Sequence, residues 1–114
     1  MSWKLQNTPF TNKDLQKYSK YLINSKQLTQ GEMVKYFEKQ FSSWNKSKYS
    51  VYVNSGSSAN LITVFAAKEY FGWKEGDEII VPSLTWPTTV TPVLQAGLTP
   101  KFIDCNLEDL SINY

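Results

Sequence analysis

Hydrophobic and polar positions follow two rhythms along this chain. Up to about residue 48 the spacing is helical. Leu15, Tyr18, Tyr21 and Leu22 share one side of a segment from 14 to 24, and Asp14 stands where an acidic residue complements a helix start. After a polar break at 25–30, Met33, Phe37, Phe41 and Trp44 recur at i, i+4, i+8 and i+11, with Val34 beside them. That stripe predicts a second helix over 32–41 with a packing face. Thr29 is placed to cap it, with Glu32 three residues on as the other half of a capping box. Residues 42–48 read as a polar connection, and residues 1–12, polar with Pro9, as an extended arm.

From residue 49 the pattern changes to short apolar runs separated by helical stretches. Residues 49–53 are aromatic and β-branched and predict a first strand; 57–71 reads as a helix apolar around much of its circumference, hence buried on more than one side. Gly72 fits a helix stop and 74–77 a turn. Residues 78–82 form a nearly continuous apolar run of the kind found inside parallel sheets. Thr85 can cap the next helix, which Trp86 and Pro87 open and which runs to about residue 96 before Gly97. Pro92 inside it predicts a kink or a delayed start. Residues 101–104 supply a third strand. The order strand, helix, strand, helix, strand is the signature of a right-handed parallel α/β unit preceded by two helices.

Composition narrows the class. With 114 residues, 41% hydrophobic and 15% aromatic, the chain is globular and large enough for one small core. Its twelve basic residues are all Lys, so no planar two-pronged clamp for phosphate or carboxylate is present, and a net charge of +2 does not suit a dedicated nucleic-acid binder. There is no His, the commonest general base and metal ligand, and the single Cys105 excludes an internal disulfide or a multi-cysteine zinc site. No apolar run reaches signal-peptide or membrane-span length, which makes the cytoplasm the expected location.

The candidate chemistry lies at Asn54-Ser55-Gly56-Ser57-Ser58, where the first predicted strand opens directly into a helix. Such a turn gathers free backbone N–H groups, serine hydroxyls and the positive end of a helix dipole, a combination that suits an oxyanion. Ser and Asn are also favoured at any helix N-cap, so the turn alone leaves a purely structural reading open. In parallel sheets ligands sit at the carboxyl ends of strands. Loops 54–58 and 83–89 and the residues after Asp104 are therefore expected on one rim, which brings the serine turn and Trp86 to a single ligand.

Two longer stretches carry a resemblance. Val53-Asn54-Ser55-Gly56-Ser57-Ser58-Ala59-Asn60-Leu61 and, at the expected distance, the run from Gly76 through Ser83-Leu84-Thr85-Trp86-Pro87-Thr88-Thr89-Val90 resemble the pyridoxal-phosphate-dependent sugar aminotransferases of the DegT/StrS type. Gly97-Leu98-Thr99-Pro100-Lys101-Phe102-Ile103-Asp104 and Leu110-Ser111-Ile112-Asn113 continue the likeness, and Gly31-Glu32-Met33-Val34 with Phe37-Glu38 is similar to the family's early helix.

The resemblance implies the N-terminal part of the fold-type I large domain over 28–114, with 1–27 as an arm and short helix. It implies pyridoxal 5'-phosphate as cofactor, with the turn at Gly56, Ser57 and Ser58 holding its phosphate and Trp86 lying against its ring. Thr88 and Thr89 are within reach of the ligand or serve as caps, and Asp104 reads as a strand-end structural residue. The implied activity is transfer of an amino group from an amino acid such as glutamate to a nucleotide-linked keto-sugar, in polysaccharide or lipopolysaccharide synthesis, by a homodimer.

The Asn-Ser-Gly-Ser-Ser-Ala-Asn and Trp-Pro-Thr-Thr variants also resemble the sugar 3-dehydratase branch, in which histidine replaces the lysine. The family's Schiff-base lysine, the aspartate facing the ring nitrogen and the small C-terminal domain all correspond to sequence after residue 114. No catalytic residue is therefore assigned here, and a non-catalytic truncated homologue is the reading from a different class. Unpaired strand edges and exposed apolar faces predict marginal stability for the chain by itself.

Overall fold

A computed structural model describes residues 9–113; the first eight residues of the expected N-terminal arm lie outside the described part. The elements in order are α1 (Asn12–Asn24), α2 (Glu32–Asn45), α3 (Gly56–Phe71), β1 (Glu78–Pro82), α4 (Pro87–Gln95) and β2 (Thr99–Ile103). They fall into two compact units, one ending at Tyr52 and the other beginning at Val53.

In the first unit the capping box belongs to α1. The Asp14 N–H donates to Thr11 Oγ1 at 3.3 Å, and the Thr11 N–H donates to Asp14 Oδ2 at 2.9 Å. Two first-turn donors are thereby satisfied, and α1 starts two residues before Asp14. The box expected at Thr29 and Glu32 does not form. Gly31 is the N-cap of α2 without a side-chain bond, because Gln30 turns the chain into the left-handed region at φ 48° and Glu32 pairs instead with Lys35 Nζ at 3.0 Å. The residues from Ser42 to Asn45, expected in a loop, continue α2. Serine costs little inside a helix, and Phe41 meets Trp44 at a ring distance of 5.4 Å across one further turn. Lys46, at φ 55°, then ends the helix, its N–H reaching the Ser42 and Ser43 carbonyls.

In the second unit β1 and β2 pair in parallel, from Glu78 opposite Thr99 to Pro82 opposite Ile103, with α4 as the crossover between them. Val81, Val93, Ala96 and Leu98 form the core, and Val64, Trp73, Ile79 and Val90 pack against it. α3 ends at Gly72, which takes φ 68°, a left-handed geometry that an L side chain resists. β2 begins at Thr99 rather than 101, since the Thr99 N–H already donates to the Asp77 carbonyl at 2.9 Å.

The strand expected over 49–53 is not formed, and among the described residues the sheet has two strands. Aromatic and β-branched residues favour a pleated surface but make no ladder without a partner edge, and among the described residues β1 and β2 pair only with each other. After β2, a bridge between Cys105 and Ile112 closes a loop in which the Asn106 N–H donates to the Ser111 carbonyl at 2.9 Å.

Candidate functional site

The start of α3 shows which donors of the serine turn are committed and which are free. Ser55 is the N-cap and its Oγ accepts from the Ser58 N–H at 3.2 Å; the Ala59 N–H goes to the Ser55 carbonyl at 3.0 Å. The Ser58 hydroxyl donates to Asn54 Oδ1 at 2.6 Å and accepts from the Ser55 hydroxyl at 3.2 Å. The Gly56 and Ser57 N–H groups and the Ser57 hydroxyl have no partner among the described residues. These three donors stand at the positive end of a sixteen-residue helix. No heavy atom lies within 4 Å of where a Cβ on Gly56 would stand, so the space over the turn is open.

Ser57, Ser58 and Leu61 of α3 share a cavity of about 240 Å³ with Thr88, Thr91, Pro92 and Gln95 of α4. The two helix starts are tied together: Asn60 Nδ2 donates to the Thr88 carbonyl at 3.1 Å. At the end of the sheet the Ser83 N–H donates to the Ile103 carbonyl at 2.8 Å, and the Ser83 hydroxyl approaches Asp104 Oδ1 at 3.5 Å. The carboxylate of Asp104 also accepts the Cys105 N–H at 2.8 Å, as a strand-end structural residue would. The loops after β1 and β2 thus meet at one rim, and α3 is tied to the first turn of α4, which follows the loop after β1.

Trp86 is the N-cap of α4 and makes no side-chain cap bond. Its indole is 75% exposed and is not among the residues lining the cavity that Ser57 and Ser58 share with Thr88. The structure therefore brings Ser57, Ser58 and Thr88 together, with Gly56 next to Ser57 in the chain, and leaves the Trp86 ring outside that cavity. Thr85 is not the cap that its position suggested, because its hydroxyl donates to Thr89 Oγ1 at 2.8 Å instead of taking a backbone N–H. Asn60, Thr91, Pro92 and Gln95 were not singled out as site residues from the sequence. One signal for Asn60 was present, three positions after Ser57 and so on the same face of α3.

A second cavity, of about 290 Å³, lies in the first unit among Tyr18, Tyr21, Leu28, Met33, Phe37 and Tyr52. It offers aromatic faces, but the Tyr52 N–H beside it is already taken by Glu38 Oε1 at 2.8 Å.

The model of the DegT/DnrJ/EryC1/StrS aminotransferase family matches residues 9–114. This chain belongs to that family. Among curated relatives of this DegT/StrS-type chain, the GDP-4-keto-6-deoxy-D-mannose 3-dehydratase of Yersinia pseudotuberculosis is 39% identical over a gapped alignment that covers 99% of this chain and 29% of that protein. Among solved structures, an E. coli GDP-4-keto-6-deoxy-D-mannose 3-dehydratase with bound hydrated pyridoxal phosphate superposes with a TM-score of 0.85 at 38% identity, covering 98% of this chain and 29% of the other. An aminotransferase from Psychrobacter cryohalolentis superposes at 0.69 with 25% identity, covering 89% of this chain and 25% of its own. The chain thus spans less than a third of the length of these relatives.

The family's cofactor is pyridoxal 5'-phosphate, and the residues present fit its phosphate. Two backbone N–H groups, one hydroxyl and open space over Gly56 form an anion-binding set that needs no guanidinium.

Proposed function

We propose that this chain is the N-terminal part of the pyridoxal-phosphate-binding large domain of an enzyme that modifies a nucleotide-linked keto-sugar, and that the enzyme is a 3-dehydratase acting on a GDP-linked 4-keto-6-deoxy sugar. The reading rests on the open donor set at Gly56 and Ser57. It is supported by the 38–39% identity to 3-dehydratases over nearly the whole chain, against 25% to an aminotransferase. The second reading is the aminotransferase, which the same turn would serve equally. In both, the partners are the nucleotide-sugar and an amino-acid amino donor such as glutamate, in a cytoplasmic homodimer of the polysaccharide or lipopolysaccharide route. Among the described residues no helix is long and apolar enough to cross a membrane.

On this reading Gly56 and Ser57 hold the cofactor phosphate through their N–H groups and the Ser57 hydroxyl. Ser58 contributes less directly: its hydroxyl is committed to Asn54, and it braces the turn from inside. The exposed indole of Trp86 is the surface on which the cofactor ring rests, excluding water from one face and fixing the ring plane. Pyridoxal phosphate, when bound, supplies an electron sink for charge developing next to the amine nitrogen. The division of the chain into residues 1–27 and the cofactor domain from residue 28 belongs to the same proposal.

The first test is titration with pyridoxal phosphate and, in parallel, with pyridoxal, which lacks the phosphate. Ser57→Ala is expected to weaken pyridoxal phosphate binding about tenfold, the loss of a hydrogen bond to a charged group, and to leave pyridoxal unaffected. Equal effects on the two ligands would remove the phosphate assignment. The choice between the two activities is made by the residue that follows in a longer reading frame at the lysine position: histidine for the dehydratase, lysine for the aminotransferase.

A further inference from the structure

The bond between Asn60 and Thr88 acquires a cause when α4 is read residue by residue. In an α-helix the carbonyl of residue i accepts the N–H of residue i+4, and the residue four positions after Thr88 is Pro92, which has no N–H. The Thr88 carbonyl has therefore lost its α-helical donor. The donor that reaches it comes from another helix, twenty-eight positions back in the chain: Asn60 Nδ2, at 3.1 Å. Pro92 is buried in this same helix, so the proline converts an internal helix bond into a tie between two helix starts.

What the tie joins gives it a role. Asn60 stands one helical turn after Gly56 and Ser57, and Thr88 is in the first turn of α4. The cavity shared by Ser57, Ser58 and Thr88 lies between the two anchored segments. The far ends are tied as well, by Lys68 Nζ donating to the Ala96 carbonyl, so α3 and α4 are held at both ends and have little freedom to splay.

We propose that Asn60 is a positioning residue of the phosphate turn: by supplying the donor that Pro92 removes, its amide holds α4 against α3 and sets the width of the cavity into which Ser57 faces. This rests on the reading of that turn as the cofactor-phosphate site.

The test uses Asn60→Asp, which keeps the side-chain size but places an acceptor against an acceptor, and Asn60→Gln, which keeps the amide. In the 114-residue chain, Asn60→Asp is expected to weaken pyridoxal phosphate binding about tenfold while Asn60→Gln recovers much of it. Pro92→Ala alone changes a residue that also lines the cavity and is therefore read by melting temperature rather than by binding; the Thr88 carbonyl has two lone pairs and can take both donors. Added to Asn60→Asp, Pro92→Ala returns a helical donor to Thr88. The double variant is expected to regain the melting temperature lost by Asn60→Asp but not the affinity. Parent-like binding by Asn60→Asp, or recovery of affinity together with stability in the double variant, would overturn the proposal.

If the parent chain binds pyridoxal phosphate and pyridoxal alike, the phosphate reading fails. The tie is then judged on melting temperature alone, where strictly additive losses for Asn60→Asp and Pro92→Ala would overturn it.

Discussion

At the scale of single residues, the serine turn shows how hydrogen bonding sorts chemically identical side chains. Ser55, Ser57 and Ser58 all stand at the start of α3, yet Ser55 caps the helix, Ser58 is held by Asn54, and Ser57 keeps its hydroxyl free. The sequence marked the serine turn as a candidate site but did not rank the serines, because the ranking depends on which neighbour each hydroxyl meets. Asp14 is a second residue whose environment decides its behaviour. The Thr11 hydroxyl, and after it the Thr11 backbone N–H, hold its carboxyl below the usual carboxylate range. A depressed native value means a contribution to stability that is present above the unfolded pKa, about 3.9, and lost as pH falls through the native value. Helical signal by circular dichroism is therefore expected to decline on acidification in that window. Asp14→Asn should flatten the α1 part of the decline.

At the scale of elements, the helices were legible because their caps and stops are local. Gly72 was expected as a stop and takes the left-handed geometry that a stop requires. Gly72→Ala should cost about 1 kcal/mol, the penalty of a Cβ in that region, measurable in a urea titration. The expectations that failed are those in which a local signal had a competitor. Thr29 and Thr85 looked like caps, but a left-handed Gln30 and the Thr89 hydroxyl supplied different arrangements. The strand over 49–53 failed for another reason: a strand is completed by a neighbour, and propensity cannot provide one.

At the scale of the whole molecule, the amount of buried surface is the governing quantity. The described core is Val81, Val93, Ala96 and Leu98, whereas α3 buries none of its residues fully despite an apolar circumference. Ile80 is 58% exposed on one face of the sheet and Phe102, opposite Val81 in the register, is 57% exposed on the other, so neither face of the parallel sheet is fully covered among the described residues. Parallel sheets are ordinarily covered on both faces. The isolated chain is expected to melt broadly and to bind a hydrophobic dye; one sharp cooperative transition of a monomer would contradict this. Val93→Ala should then remove about 2 kcal/mol, two buried carbon groups plus a cavity term, enough to abolish what cooperativity the second unit has.

The sequence by itself determined the order and kind of most elements, the stops at Gly72 and Gly97, the serine turn that opens α3 and the family. All of these are written in the spacing of neighbouring residues, and short-range sterics and hydrogen bonds read them directly. Only the tertiary structure decided which serine keeps a free hydroxyl, that the Trp86 ring stands outside the cavity shared by Ser57 and Thr88, that residues 49–53 stay unpaired, and that Asn60 answers for a donor missing at Pro92. Each of those depends on a partner distant in the chain, and a partner's position is set by packing, which no local pattern contains.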